Sequence, residues 1–424
     1  MKKILIIIFL LFLIPIVQGE ELTNSPKENP SNTQQTEQIE TTQDTQTDAN
    51  TNDISSEENT STENGLNLAP NAKSAIMLEA STGKVIYEKE ADLQLPMASM
   101  TKMMTLLLIM ENIENGNLKW DEMITASEYA SSMGGSQIFL ETGEQMTVED
   151  LVKGICIASG NDAAVAMAER IGGTEENFVK MMNDKAKALK LKNTNFINAC
   201  GLDADGHYSS ARDMAIIAKE LVKHDKILEF SGTYEDYLRK NTDKSFWLVN
   251  TNKLVRYYQG VDGLKTGFTS TAGYCITTTA KRSDLRLITV VMGEPTSPIR
   301  NSETTTMLDY GFNTYQIDKV LSSNDVVSKQ KVSLSKENTV EITPVKDINI
   351  LNTKSGTKRN VTYKVELDNL KAPIKKGTKV GKINVIENNK TIMTIDAITK
   401  TDINKLNIFT SFYRELLDIL KGSI

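Results

Sequence analysis

Ser99 and Lys102 stand three residues apart at the head of a long apolar run, Met103 to Met110. On a helical turn, positions i and i+3 share a face. The Lys102 amine can then lie against the Ser99 hydroxyl and take its proton. A serine hydroxyl is a weak nucleophile until a neighbouring base activates it. An amine serves as that base only when neutral, and burial in apolar surroundings lowers a lysine pKa toward that state. Two further groups follow in order, Ser159-Gly160-Asn161 and Lys265-Thr266-Gly267. Singly, each has a plain alternative. Lys102 reads as a helix lysine reaching for water, Ser159 and Asn161 as N-caps of a helix beginning at Asp162, and Lys265 as an exposed strand lysine. As an ordered set, S-x-x-K, S-x-N and K-T-G form a pattern for serine acyl transfer.

From about Asn71 to Phe312 the chain resembles the serine D-Ala-D-Ala carboxypeptidases of peptidase family S11, the low-molecular-mass penicillin-binding proteins. Beyond the three motifs, the likeness rests on Ala75–Tyr87, which is similar to the family's opening hairpin, and on the nucleophile segment Leu95–Lys102. Gly206–Asp213 and Gly263–Gly267 also fit, and Ala372-Pro373-Ile374 with Gly377 and Val380-Gly381 resembles the small β-domain that follows the catalytic domain in this family. One departure is Ala199-Cys200-Gly201, where relatives often carry Pro-His-Gly; it is expected to alter only a local loop contact.

The resemblance implies a role for each motif residue. Ser99 is the nucleophile and Lys102 its general base. Ser159 relays a proton toward the leaving amine, and Asn161 holds a substrate amide. Lys265 supplies positive charge near the substrate carboxylate, which Thr266 hydrogen-bonds. The backbone N–H groups of Ser99 and Phe268 form the oxyanion hole. Gly267, without a side chain, is expected to leave the strand edge open to substrate. The implied reaction removes the terminal D-Ala from a peptidoglycan pentapeptide, with β-lactams as covalent inhibitors. A DD-endopeptidase would use the same residues. A β-lactamase of class A needs an E-x-x-N motif, and none lies between Asn161 and Lys265. An inert wall-binding module would not need Ser99, Lys102, Ser159, Asn161 and Lys265 all intact. A Ser-His-Asp triad would have to use His207 or His224, the chain's two histidines. His207 sits in a stretch that reads as structural, and His224 in a polar helix end. Two histidines also argue against zinc, and no cofactor is expected.

Composition places this chemistry outside the cell. Met1-Lys2-Lys3 precedes an apolar run from Ile4 to Val17, and Val17-Gln18-Gly19 offers a cleavage site, so residues 1–19 read as a signal peptide. Residues 20–68 are low in complexity and hold 11 acidic side chains and one Lys. They cannot bury enough apolar surface to order themselves and read as a spacer. The chain's net charge is −7. The spacer's −10 and the leader's +2 leave +1 for residues 69–424. A folded part this close to neutral gives no reason to expect a nucleic-acid partner. Cys156, Cys200 and Cys275 are expected to be buried thiols, with at most one disulfide possible.

These residues must be carried by a catalytic domain over 69–316 and a β-domain over 317–402. The alternation in Ser74–Glu88 predicts a hairpin turning at Ser81-Thr82-Gly83. Met100–Ile113 reads as a buried helix. Helices are also expected over Val148–Ala158, Asp162–Ile171, Thr174–Leu189 and Ala211–His224, and paired strands over Gly273–Ala280 and Leu285–Met292. Strands at both ends with helices between predict an α+β, β-lactamase/transpeptidase-like fold, an antiparallel sheet covered by helices. Asn360–Leu367, Thr378–Ile386 and Thr391–Ala397 predict a small all-β sandwich behind it. Residues 403–424 read as an amphipathic helix, apolar at Leu406, Phe409, Phe412, Leu416 and Leu420, and too charged to span a bilayer. It is expected to lie on the outer face of the cytoplasmic membrane.

Overall fold

The structure is a computed structural model that describes residues 65–407, apart from 333, 334, 337, 338 and 358, together with 412 and 413. The signal peptide, nearly all of the spacer and, of the C-terminal helix expected over 403–424, residues 408–411 and 414–424 lie outside the described residues. The expected start of that helix is instead part of the β-domain, Ile403 and Lys405 forming β-bridges with Ile374 and Ser335.

The catalytic part is built on one antiparallel sheet. Its strands are β1 (Ser74–Glu79), β2 (Val85–Lys89), β7 (Val261–Thr269), β8 (Gly273–Arg282) and β9 (Leu285–Glu294), in the order β2-β1-β9-β8-β7. Every neighbouring pair is antiparallel, and β7, which carries the K-T-G motif, is an edge strand. Successive strand side chains point to opposite faces. Ile76, Leu78, Ile288 and Val290 therefore join one core, while Ala75, Met77, Leu287 and Val291 join another.

The first core is closed by α1 (Lys102–Glu114), α4 (Asn161–Gly172), α5 (Glu175–Ala188) and α6 (Ala211–Leu221). The second is closed by α9 (Ser297–Thr314) through Met307, Leu308 and Phe312. Residues 102–110 of α1 are all buried, as expected of a helix that is apolar all round. Between these elements lie α2 (Glu128–Ser131), α3 (Val148–Lys153), α7 (Asp225–Ser231), α8 (Leu254–Tyr257) and the short pairs β3 (Met123–Thr125) with β4 (Gln145–Thr147) and β5 (Glu235–Leu238) with β6 (Phe246–Val249).

Two departures from the expected elements fall on the motifs. The helix predicted over Met100–Ile113 is preceded by a 3-10 turn, Ala98–Thr101, and Ser99 sits in that turn, one residue pair before α1 begins. The helix predicted over Val148–Ala158 is α-helical only to Lys153. It widens into a π-turn, Gly154–Ala158, that ends at Ser159 in the left-handed conformation (φ 65°, ψ 30°).

The β-domain contains more strands than alternation revealed. The three expected strands are present as β14 (Val361–Leu367), β15 (Lys379–Glu387) and β16 (Lys390–Thr399). Four more precede them: β10 (Tyr315–Leu321), β11 (Ser328–Lys331), β12 (Thr339–Pro344) and β13 (Ile348–Thr353). β11, of sequence Ser-Lys-Gln-Lys, gives no apolar signal at all. A two-stranded sheet (β10-β13) and a five-stranded sheet (β11-β12-β16-β15-β14) share one core of Leu321, Ile348 and Ile350 with Ile342, Ile383, Val385 and Ala397.

Candidate active site

The nucleophile turn is fixed from behind by a histidine. The Ile197 N–H donates to His207 Nδ1 at 2.9 Å, so Nδ1 is the acceptor and Nε2 carries the proton. Nε2–H then donates to Thr101 Oγ1 (2.8 Å), and Thr101 donates onward to Ala98 O (2.8 Å). Burial pushes the His207 pKa down to about 4, which keeps the ring neutral. His207 thus holds the Ala98–Thr101 turn and is not a triad base. His224 pairs with Glu114 at the far end of α1.

Lys102 is fully buried, and its Nζ has three partners: Ser99 Oγ (3.0 Å), Asn161 Oδ1 (2.6 Å) and Cys200 O (2.6 Å). Burial lowers its pKa from 10.5 to about 8, against the attraction of the Cys200 thiolate form and Asp162. A neutral amine has two N–H donors and one lone pair. The two carbonyl oxygens can only accept, so they claim the two donors. The lone pair is left for the one partner that has a proton to give, the Ser99 hydroxyl. This geometry makes Lys102 a general base toward Ser99.

The second motif comes to the same place from α4. Asn161 starts that helix, and its Nδ2 donates to Gly134 O at 2.6 Å, which fixes which amide atom faces Lys102. Neither Ser159 nor Asn161 caps α4. Gly160 is the cap residue and makes no side-chain cap bond. The capping expected of those two residues is supplied by Asp162, whose carboxylate accepts from the N–H groups of Ala163, Ile138 and Leu140. It ties the 134–140 loop to the start of α4. Ser159 is 3% exposed beside this network without being one of the three partners of Lys102.

The third motif forms the opposite wall. Lys265 is buried rather than exposed. Its Nζ donates to Thr266 O (3.1 Å), and burial, reinforced by Lys102, holds its pKa well below 10.5. An arriving carboxylate would reverse that balance and favour the ammonium. Thr266 donates to Thr251 Oγ1 at 2.8 Å. Gly267, expected from the sequence to leave the strand edge open to substrate, also has a packing role. A Cβ there would lie 2.7 Å from Met97 O and 3.2 Å from Ser99 N, so its absence lets β7 close on the nucleophile turn. That approach sets the Ser99 N–H beside the Gly267–Phe268 backbone. The Phe268 ring is half exposed and stacks on Tyr274 with centroids 4.3 Å apart.

The Ala199-Cys200-Gly201 loop carries a functional atom in its backbone, which the residue types there do not change. Cys200 O is one of the two acceptors that orient Lys102. The loop is held by Asn198 Oδ1, which accepts from the N–H groups of Cys200, Gly201 and Leu202, by Thr105 on Ala199 O and by Glu175 on the Ala199 N–H. Sequence reasoning missed Asp162, Asn198, Thr105 and Glu175. A side-chain motif carries no signal for a functional backbone carbonyl or for the groups that hold it. All three cysteines are free and buried, as expected, and burial raises each thiol.

Residues 57–296 match the model of the D-alanyl-D-alanine carboxypeptidase family, peptidase S11. The chain belongs to that family. Residues 315–405 match the C-terminal domain of penicillin-binding protein 5. The chain is 50% identical over 355 residues to D-alanyl-D-alanine carboxypeptidase DacF of Bacillus subtilis, spanning 84% of this chain and 91% of that protein. It is 34% identical to DacC of Escherichia coli, over 76% of this chain and 81% of the relative. Among solved structures, penicillin-binding protein 5 of Haemophilus influenzae matches with a TM-score of 0.64 at 33% identity, covering 79% and 98% of the two chains. Ampicillin-bound penicillin-binding protein D2 of Listeria monocytogenes matches over 57% of this chain and 98% of its own, at 34% identity and a TM-score of 0.50. The chain is a hydrolase with the transpeptidase-like fold, and its family acts on peptidoglycan D-Ala-D-Ala and binds β-lactams.

Gly201 offers a test of this packing. Its φ is +89°, and a Cβ would stand 2.0 Å from Ala98 O and 2.9 Å from Ser99 N. Gly201→Ala is expected to displace either the lysine's acceptor or the nucleophile turn and to slow acylation by penicillin about 100-fold. Stopped-flow acylation beside a thermal melt checks it. A folded variant acylating within a few-fold of the wild type would contradict the assigned role of this approach.

Proposed function

We propose that the protein is an exported DD-carboxypeptidase working through an acyl-enzyme on Ser99. The observation that carries this reading is the Lys102 amine, whose two N–H donors are occupied by Asn161 Oδ1 and Cys200 O and whose third partner is Ser99 Oγ. Lys102 takes the Ser99 proton as Oγ attacks the carbonyl of the penultimate D-Ala. The N–H groups of Ser99 and Phe268 receive the oxyanion. Lys265 and Thr266 hold the terminal carboxylate, and Asn161 steadies the substrate amide. As the tetrahedral intermediate collapses, the C–N bond breaks. The proton held by Lys102 reaches the leaving amine through Ser159, and free D-Ala departs. Water then adds to the Ser99 ester, its proton returning to Ser99 Oγ through the same base, and the shortened peptide is released. A β-lactam follows the first half of this path and stalls as the ester. Its amine stays joined to the acyl part by the opened ring, so it does not leave as D-Ala does and hinders the incoming water. Nor does the chain carry, between Asn161 and Lys265, the E-x-x-N glutamate with which class A β-lactamases activate that water.

In the same reading the chain is exported by residues 1–19 and held at the outer face of the cytoplasmic membrane by the part of the expected 403–424 tail that follows the β-domain's last residues, Ile403 to Leu406. The β-domain, which lies between the catalytic domain and that tail in the chain, sets the distance of the active site from the membrane.

Three outcomes are expected. Labelled penicillin attaches at Ser99 alone, as read by mass mapping of the adducted peptide, and Ser99→Ala binds none while remaining folded. A label on Ser159 would sink the assignment.

The acylation rate constant rises with pH and levels off above about 8, because Lys102 must be neutral to act and its pKa is lowered to that value. Lys102→Arg is inactive at every pH, since a guanidinium does not give up its proton in this range. A flat pH profile, or near wild-type rates in that variant, would mean that charge rather than basicity is required.

Removal of residues 408–424, which spares the β-bridge of Lys405 with Ser335, leaves D-Ala release in solution intact and moves the protein from the membrane fraction to the soluble one. Unchanged partition would place the anchor elsewhere.

A further inference from the structure

The carboxypeptidase reading fixes the direction of the substrate. The terminal carboxylate lies at Lys265 and Thr266, and the scissile carbonyl at the N–H groups of Ser99 and Phe268. The stem peptide therefore leaves the site past Phe268, along β7 toward Thr269. β7 is an edge strand, so an extended peptide can run beside it. Counting back from the terminus, the scissile carbonyl belongs to the fourth residue. One further residue advances the chain by ~3.5 Å. That puts the third residue of the stem beside Phe268 and Thr269.

At this point the 198–206 loop comes up to the end of β7. On the strand side is the Phe268 ring, 54% exposed. On the loop side is Leu202, 39% exposed, a neighbour of Asn161 across the space above Gly135. The two sides are tied by a hydrogen bond from Thr269 Oγ1 to Asp203 Oδ1 at 2.8 Å. Asp203 is exposed, and among the described residues its Oδ2 has no partner. Two exposed apolar side chains leading to a fixed carboxylate suit a long aliphatic side chain with a cationic end. A diamino acid such as lysine at the third position of the stem has such a side chain.

We infer that Leu202, Phe268 and Asp203 form a subsite for the side chain of the third stem residue, with Asp203 receiving its amine. The inference rests on the carboxypeptidase reading and adds a selectivity to it. The loop that carries Asp203 also carries Cys200 O, the acceptor on Lys102. A side chain seated here thus contacts the same loop that orients the base. Asp205, two residues on, is also acidic and exposed, and serves as the control.

Two synthetic pentapeptides ending in D-Ala-D-Ala, identical except for lysine or norleucine at the third position, test it by kcat/KM for D-Ala release. An exposed ion pair is worth a few tenths to one kcal/mol, so the wild type should favour lysine about two- to five-fold, less at high salt. Asp203→Asn keeps an oxygen acceptor for Thr269 while removing the charge. It should abolish the preference and leave the norleucine peptide within about two-fold of wild type, whereas Asp205→Asn should keep the preference. An undiminished preference in Asp203→Asn would overturn the inference. Equal losses on both peptides would also overturn it, by showing a purely structural role. So would a wild type indifferent to the amine. Failure of the wild type to release D-Ala from either peptide would instead bring down the carboxypeptidase reading, and the subsite with it.

Discussion

A buried amine with more acceptors than donors in its reactive form organises this site. Lys102 lies at the first position of a helix whose next eight residues are all buried, so water cannot reach it. Moving an amine from its ordinary 10.5 to about 8 corresponds to ~3 kcal/mol in favour of the neutral form. The fold carries that cost. The unfolded chain, with its amine at the ordinary value, binds more protons between about pH 8 and 10.5. Stability therefore rises with pH across that window, and the deficit is fully present below it. In return the amine is a base near neutral pH, and its lone pair has one place to go.

Each surrounding feature follows from holding that amine and its serine in register. The π-turn and the left-handed Ser159 bring Asn161 to Lys102 from α4. Asp162 locks the loop on which Asn161 leans. Gly201 and Gly267 permit backbone to approach the nucleophile turn from two sides, at positions where a Cβ would collide with Ala98 O or Met97 O. His207, neutral through burial, fixes the turn from behind. The sheet supplies the rigid wall, since β7 is locked to β8 along its length and leaves its other edge for substrate.

The motif residues were legible because their chemistry is in their side chains. Ser99 and Lys102 meet as their spacing implied, with Asn161 joining them from α4, and the hairpin, the core helix and the paired strands of the sheet follow from alternation and apolar runs. What was not legible has two physical sources. Cys200 O is a backbone atom and has no residue type to announce it, so the loop around it looked incidental. Asp162 and Gly267 were legible as residues, but their work depends on neighbours far along the chain, Ile138 and Met97. The β-domain repeats the lesson. β11 is polar at every position and pairs through its backbone with β12, which no pattern of side chains declares.

The chemistry at Ser99 depends on the protonation of Lys102. Its direct measure is an NMR titration of the enzyme carrying 13C at lysine Cε, with the Lys102 signal assigned by its loss in Lys102→Arg. A single titration centred near pH 8 is expected, well below that of the surface lysines. A Lys102 signal titrating near 10.5 with the rest would contradict it, because the amine would then be charged at working pH and could not accept the Ser99 proton.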